Sequence, residues 1–375
     1  MKNMSKALVL TAGLLANNAQ AEVNFNGFAS IVGGVTTSSD EALYGYDDSF
    51  DFSKDSLFAL QASSDVGEGL TVTAQILSRG RDDWNTEFEW AYIAYEATDN
   101  LRILAGKQRM PFFMFSDFLD VSYAYPWITP PTALYTLPFD TFDGLAAIYS
   151  SDIAGFDTSL HVVYGGNNSD MIVAGTEVSA DINDVFGLSF TASRDWLTLR
   201  AAYFELELNI ENPGLTALSE PWRTAGYNDI ANEILILGDK ASFLELGFQV
   251  DYNNLLIVGE FTQVETDTIV PDDDAYYIMA GYRFDNLLAH VTYGVKDGGT
   301  DRLTNGVPAG PLNDLISQTD AATDVQSNDI NYVTVGLRWD FHDSAALKFE
   351  YTNYTDDLNG DQDAGLFRTA LVTVF

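Results

Sequence analysis

The chain alternates. From Tyr276 to Phe284, one set of every-other positions holds Tyr276, Ile278, Ala280, Tyr282 and Phe284, while the other holds Tyr277, Met279, Gly281 and Arg283. A side-chain period of two is the mark of an extended strand with two unlike faces. The pattern returns at Asn331–Phe341, where Val333, Val335, Leu337, Trp339 and Phe341 oppose Tyr332, Thr334, Gly336, Arg338 and Asp340. It returns again where Ala345, Leu347, Phe349 and Tyr351 oppose Lys348, Glu350 and Thr352. Followed along the whole chain it predicts sixteen strands, near 23–35, 55–64, 70–79, 86–97, 101–109, 142–151, 156–165, 183–193, 196–207, 241–251, 255–265, 275–285, 287–296, 330–341, 345–355 and 365–375. Short turns, such as Asp65–Gly69, Thr98–Asn100, Asp152–Gly155, Asp251–Asn254, Asp285–Asn286 and His342–Ser344, are interleaved with long acidic loops. Tight turns at one end and long loops at the other describe an up-and-down antiparallel β-barrel.

The direction of the apolar face decides what kind of barrel this is. Sixteen strands enclose a lumen too wide for side chains to fill, so water occupies the inside and the large apolar residues must face lipid. A membrane strand needs only ~9–11 residues at a ~45° tilt, and closure leaves no unpaired edge in the hydrocarbon. Aromatics near strand ends, among them Tyr282, Phe284, Trp339, Phe341, Phe349 and Tyr351, suit the two membrane interfaces. The same parity sends Arg79, Arg102, Arg200, Arg283, Arg338, Lys348 and Arg368 to the lumen at mid-barrel. A base left in hydrocarbon would cost ~2–4 kcal/mol at the midplane.

Composition narrows the function classes. Lys+Arg 18 against Asp+Glu 55 gives a net charge of −37, which excludes a nucleic-acid partner because phosphate neutralisation needs a basic footprint. A hydrophobic fraction of 46%, with Phe 24, Tyr 19 and Trp 6, separates the chain from disordered acidic sequences. There is no Cys, hence no disulfide framework and no thiolate metal site. Met1–Ala21 combines Lys2 and Lys6, an apolar stretch Ala7–Ala16 and the small-residue end Ala19-Gln20-Ala21, and reads as a secretory signal cleaved after Ala21. The mature barrel domain is then 22–375, with 16 basic and 55 acidic groups. No run of 18 apolar residues follows, so any membrane crossing is made by strands.

Three constellations invite a chemical reading and none carries one. Ser159 and His161 share a strand face, but no oxyanion hole or orienting carboxylate accompanies them, so they read as polar lining and no catalytic residue is assigned. Asp272–Asp274 and the run Asp357–Asp363 offer oxygen ligands for calcium, yet the second lacks a distal Glu and both fit solvated loops, so no metal is expected. No Gly-rich phosphate loop opens a helix, and the reading needs no cofactor.

Three stretches spanning nearly the whole mature chain resemble the Gram-negative outer-membrane porins. The terminal strand Phe367, Leu371, Phe375 resembles the C-terminal signal read by the barrel assembly machinery, although Thr373 replaces the usual large apolar residue. Leu101–Gln108 is similar to the porin strand that leads into the constriction loop, and Asp143–Ser151 with Gly155-Phe156 to the hairpin that follows. The resemblance implies that the intervening stretch Pro111–Phe142 is a long third external loop folded inward. Ten of its residues are aromatic, which calls for packing rather than disorder. Asp117, Asp120 and Asp140 are expected to face the channel, the first two opposite Arg102 and its neighbours. The resemblance further implies a homotrimer in the outer membrane, in contact with its lipid, that passes small hydrophilic solutes and ions by passive diffusion. The alternatives are an adhesin or receptor barrel whose acidic loops bind a partner, and a barrel hydrolase using His161. The acidic mouth leads to an expectation of weak cation selectivity that fades as salt rises.

Overall fold

The computed structural model describes residues 22–173, 176–300, 302–324, 326–358 and 363–375; the leader lies outside them. Among the described residues, sixteen antiparallel strands close into one barrel in which every strand pairs with its sequence neighbours and the first with the last. They are β1 Val23–Thr36, β2 Leu57–Gly67, β3 Leu70–Arg79, β4 Thr86–Thr98, β5 Leu101–Arg109, β6 Thr141–Ile153, β7 Phe156–Val173 and β8 Thr176–Arg194, followed by β9 Leu197–Ile210, β10 Ile236–Tyr252, β11 Leu255–Thr266, β12 Asp272–Phe284, β13 Leu287–Gly299, β14 Asn328–His342, β15 Ala345–Asp356 and β16 Ala364–Val374. The seam closes at Phe375. Its backbone exchanges hydrogen bonds of 2.8 and 2.9 Å with Gly27, and its ring stacks on Phe58. A methyl group at Gly27 would stand 2.4 Å from that ring, which is why the position has no side chain.

The outer face is apolar as the alternation requires. Ile31, Tyr164, Leu246, Val335 and Leu371 are exposed, and so are the aromatic pairs Tyr282–Phe284 and Trp339–Phe341 beside the short turns. For a chain in water such a surface would be an aggregation liability; around a closed barrel it is the lipid contact.

Two expectations needed correction. The hairpin β7–β8 runs about eight residues further on each side than the pattern predicted, so 166–173 and 176–182 are ladder rather than loop. The cause is a register shift between Asn183 and Phe186, where Asp184 takes φ +48: the inward set Val178, Ala180, Ile182 changes phase to Val185, Gly187, Ser189, and strict alternation loses the thread. Asp272–Asp274 likewise open β12 instead of lying in a loop, with Asp273 paired to Lys296 at 3.0 Å. The other acidic candidate, Asp357–Asp363, falls partly outside the described residues.

The lumen is not uniformly wet either. Inward-facing Phe204, Leu206, Leu208, Ile210, Ile236 and Phe243 are buried in one apolar cluster. They pack with external-loop helices that the sequence reading left as loops: α1 Pro213–Thr224, α2 Asn228–Glu233 and α3 Asn313–Asp324. Asn212 caps α1 by accepting from the backbone N–H groups of Gly214 and Leu215, with Pro213 at the first turn. Trp222 of α1 is fully buried and its indole N–H donates to Thr319 Oγ1 of α3 at 2.8 Å. On this side of the barrel the inner wall is therefore a protein core. No described helix is long and apolar enough to cross a membrane.

Candidate functional site

Residues 110–140, here L3, leave the top of β5 and return at β6 after crossing the lumen. Aromatics anchor the loop at two points. Phe112 packs on Phe204 and Phe243 at ring-centroid distances of 4.6 and 5.0 Å, and Trp127 meets Tyr277 edge-on at 5.6 Å. Each of these large side chains is buried, at 4% exposed or less, and burying one apolar side chain of this size is worth ~1.5–3 kcal/mol. The indole N–H of Trp127 also donates to Thr292 of β13 at 2.8 Å.

Polar ties then fix the loop's course. Glu260 of β11 accepts from the Met114 backbone N–H at 2.8 Å and from the hydroxyls of Tyr135 and Tyr277. Glu350 of β15 accepts from the Ile128 N–H at 2.8 Å and pairs with Arg368 at 2.9 Å. Lys348, 1% exposed, donates to Tyr125 O at 2.8 Å and also to Ser122 O and Trp127 O, so loop carbonyls surround its ammonium. Arg338 donates to the carbonyls of Tyr123 and Tyr125, Arg200 to that of Pro111, and Arg368 to Thr129 Oγ1. An unpaired charge inside a barrel is costly, and satisfying these groups on the loop, mostly on its backbone, is what makes the loop's position specific.

At the root of L3, Arg79 and Arg109 share two carboxylates, Glu89 and Asp120, and Arg109 holds a third, Asp140. Asp120 accepts from Arg79 at 3.2 Å and from Arg109 at 2.5 Å; Arg109 also reaches Glu89 at 2.5 Å and Asp140 at 2.7 Å. Burial alone would raise the Asp120 carboxyl, but the guanidiniums of Arg109 and Arg79 more than offset it and hold it below its ordinary value.

Of the seven bases assigned to the lumen by parity, five grip the loop: Arg79, Arg200, Arg338, Lys348 and Arg368. Arg102 and Arg283 do not. They sit beside the short turns, paired with Glu96 at 3.1 Å and Asp251 at 2.6 Å, so Arg102 is not the partner of Asp117 or Asp120. Asp117 is exposed, beside a second cavity that Arg200 and Gln249 also line. Sequence reasoning missed Arg109 because strict alternation from Arg102 puts it on the lipid side. As the last residue of β5 it still pairs with Thr141 of β6, but the ladder with β4 has ended at Lys107, and its guanidinium reaches Glu89, Asp120 and Asp140. Glu89 was missed because it is the extra residue in a register shift of β4, between the pairs Gln75–Trp90 and Ile76–Phe88. Glu245, Glu260 and Glu350 were legible, because the parity that sent bases inward sends these acids inward too. Ser159 and His161 make no hydrogen bond to each other, and His161 Nε2 has no partner.

A closed barrel with an apolar outside, a charged inside and a loop drawn across its lumen defines an outer-membrane diffusion channel. The chain belongs to the Gram-negative porin family, whose model matches residues 6–359. No curated protein matches it in sequence. Solved structures match in fold. OmpF of Salmonella typhi, in complex with daunomycin, superposes with a TM-score of 0.60 at 13% identity over 95% of this chain and 98% of that one. The anion-selective porin of Comamonas acidovorans gives 0.57 at 10% identity over 95% and 100%. In-vitro folded OmpT of Vibrio cholerae, in a trimer form, gives 0.55 at 14% identity over 95% and 99%. The protein resides in the outer membrane and forms a channel for solute diffusion.

Proposed function

We propose that the channel is passive and general, admitting small hydrophilic solutes, with L3 setting its cross-section and with no enzymatic step. The docking of L3 on Glu260, Lys348, Glu350 and Arg368 carries this reading, because a loop so placed narrows the lumen without sealing it against water. The site residues of the proposed constriction are Arg79, Arg109, Arg368, Asp120 and Asp140. Liposome swelling tests it: reconstituted protein should pass sugars at rates that fall steadily with size and do not saturate. Saturation with one sugar class and exclusion of others of equal size would make the channel substrate-selective.

Charge selectivity follows from the pairing. Most inner bases are matched by an acid or by loop carbonyls, so the wall presents little net field, while the external loops remain acidic. Reversal potentials should show weak cation preference at low salt. By ~0.15 M, where screening acts beyond ~8 Å, the preference should fade. Strong anion preference at every salt concentration would show that the arginines govern permeation.

The leader is read as a cleaved signal and Phe375 as the assembly signal recognised by the barrel assembly machinery. Removing Phe375 also deletes both backbone bonds that end the β1–β16 seam. The truncated chain should fail to accumulate as a heat-modifiable barrel; normal accumulation would reject the signal role. We further read the protein as a homotrimer. On the outward side of β2, β3 and β4, Ala62, Ala74 and Ala91 lie opposite one another in the ladder, giving a smooth band for close approach of another barrel.

A further inference from the structure

We infer that the cavity between the first turn of L3 and the wall of β8, β9 and β10 binds small organic ammonium ions with an aromatic body, with Asp117 as the residue that takes the charge. The inference rests on the channel reading above and adds a solute class to it. Of the three acids of L3, Asp120 is held by Arg79 and Arg109, and Asp140 by Arg109. Asp117 is left over: it is exposed and makes no hydrogen bond or ion pair among the described residues. It borders a cavity of about 260 Å³ that none of Arg79, Arg109, Asp120 and Asp140 lines, so this place is separate from the constriction. Arg200, the one base in its lining, is ion-paired with Glu245 at 3.3 Å and donates to the Pro111 carbonyl. His161, the other titratable neighbour of Asp117, offers it no hydrogen bond. The cavity therefore carries one uncompensated negative charge.

Gln249 and Thr191 add side-chain oxygens that no described residue engages. An ammonium group brings three donors and no acceptor, which suits a carboxylate, an amide oxygen and a hydroxyl around one cavity. The rest of the wall is Phe113, Met114, Phe115 and Phe118, and aromatic faces attract a cation while sheltering an apolar body from water. Phe115 and Gln249 also line a neighbouring cavity of about 380 Å³, into which such a body can extend. The two bases there, Arg283 and Arg338, are paired with Asp251 and Asp340. An anion therefore meets Asp117 and no unmatched base, a neutral alcohol lacks the charge, and methylammonium lacks the body. Because Asp117 is open to water the complex is weak, as a permeating solute requires. The preference acts by contact and survives salt that screens the acidic mouth.

The probe is benzylammonium, added during planar-bilayer recordings of the purified protein in KCl, with benzyl alcohol and methylammonium as comparisons. Benzylammonium should reduce the KCl current in a saturable manner, and the other two should not at the same concentrations. In Asp117→Asn the half-blocking concentration should rise about tenfold or more, the loss expected for a hydrogen bond to a charged group. Asp117→Glu should keep the block. Asp314→Asn removes the same charge from exposed α3 at the outer mouth and should keep it too. Heat-modifiable migration reports that each variant is folded. Equal benzylammonium block in the wild type and Asp117→Asn, or equal block by benzyl alcohol, overturns the site. A loss in Asp314→Asn as large as that in Asp117→Asn also overturns it, because the field of the mouth would then be the cause. KCl current with no benzylammonium block overturns the site and leaves the channel standing, whereas folded protein with no KCl current overturns the channel reading itself.

Discussion

Excising Asp117–Tyr125 from L3 should raise single-channel conductance severalfold and admit larger sugars in liposome swelling. The segment carries Asp120 and the carbonyls of Ser122, Tyr123 and Tyr125, so its loss removes the middle of the loop together with half its polar ties. The aromatic anchors Phe112 and Trp127 stay on either side of the cut, packed on Phe204, Phe243 and Tyr277. In the same step Arg338 loses both of its carbonyl partners and Lys348 loses those of Ser122 and Tyr125, keeping that of Trp127. They end in a wider, wetter lumen, where water replaces the lost bonds, so the cost of leaving them buried and unpaired does not arise. The barrel ladder does not use the excised residues, and the variant should still migrate as a folded barrel. Unchanged size exclusion in such a folded variant would place the constriction elsewhere.

Arg109→Met should destabilise the protein far more than Arg102→Gln, though both bases lie on β5. Arg109 is 4% exposed and neutralises Glu89, also 4% exposed, together with Asp120 and Asp140. Removing one partner of a buried pair costs ~3–5 kcal/mol because the remaining charge is left in a poor solvent. Arg79 still contacts Glu89 and Asp120, which places the expected loss at the lower end, ~3 kcal/mol. Arg102 and Glu96 are 35% and 53% exposed, and such a pair is worth ~0–1 kcal/mol. The readout is the temperature of the heat-modifiability transition, with current noise as a second measure, since a loosened L3 root should flicker. Equal transition temperatures for the two variants would contradict the network. Adding Glu89→Gln to Arg109→Met should recover part of the loss. The network also has a pH signature. With Asp120 held below its ordinary value near 3.8, its contribution is present above that value and is lost only as pH falls through the lower folded value. The tie that Asp120 makes between L3 and the two guanidiniums should therefore hold down to about pH 4.

Strand positions were legible wherever one face meets lipid and the other meets water, because that contrast writes a period of two into the sequence. Tyr276–Phe284 and Asn331–Phe341 are such segments. Legibility failed where the contrast breaks phase or inverts. In the outer part of β7–β8 a register shift at Asn183–Phe186 breaks the phase. At Phe204–Ile210 the inward side, Phe204, Leu206, Leu208 and Ile210, is the apolar one and Glu205, Glu207 and Asn209 face outward, because α1, α2 and L3 occupy that half of the lumen. The site followed the same rule. Mid-strand bases such as Arg200, Lys348 and Arg368 were found by parity, while Arg109 and Glu89 stand where the ladder ends or is shifted. The pairing of L3 with particular wall residues was not legible at all: Glu260 to Met114 and Glu350 to Ile128 join positions 146 and 222 residues apart through backbone N–H groups, which leave no trace in side-chain pattern.

Recording the purified, folded protein in a planar lipid bilayer tests the central claim most directly. A water-filled barrel narrowed by a fixed loop predicts discrete steps of equal size, ohmic at both polarities, with conductance that scales with bulk salt. A bilayer that stays silent in the presence of demonstrably folded barrel, or that conducts only after L3 is cut, would show that L3 and the helices of the outer loops seal the lumen, and would contradict the account.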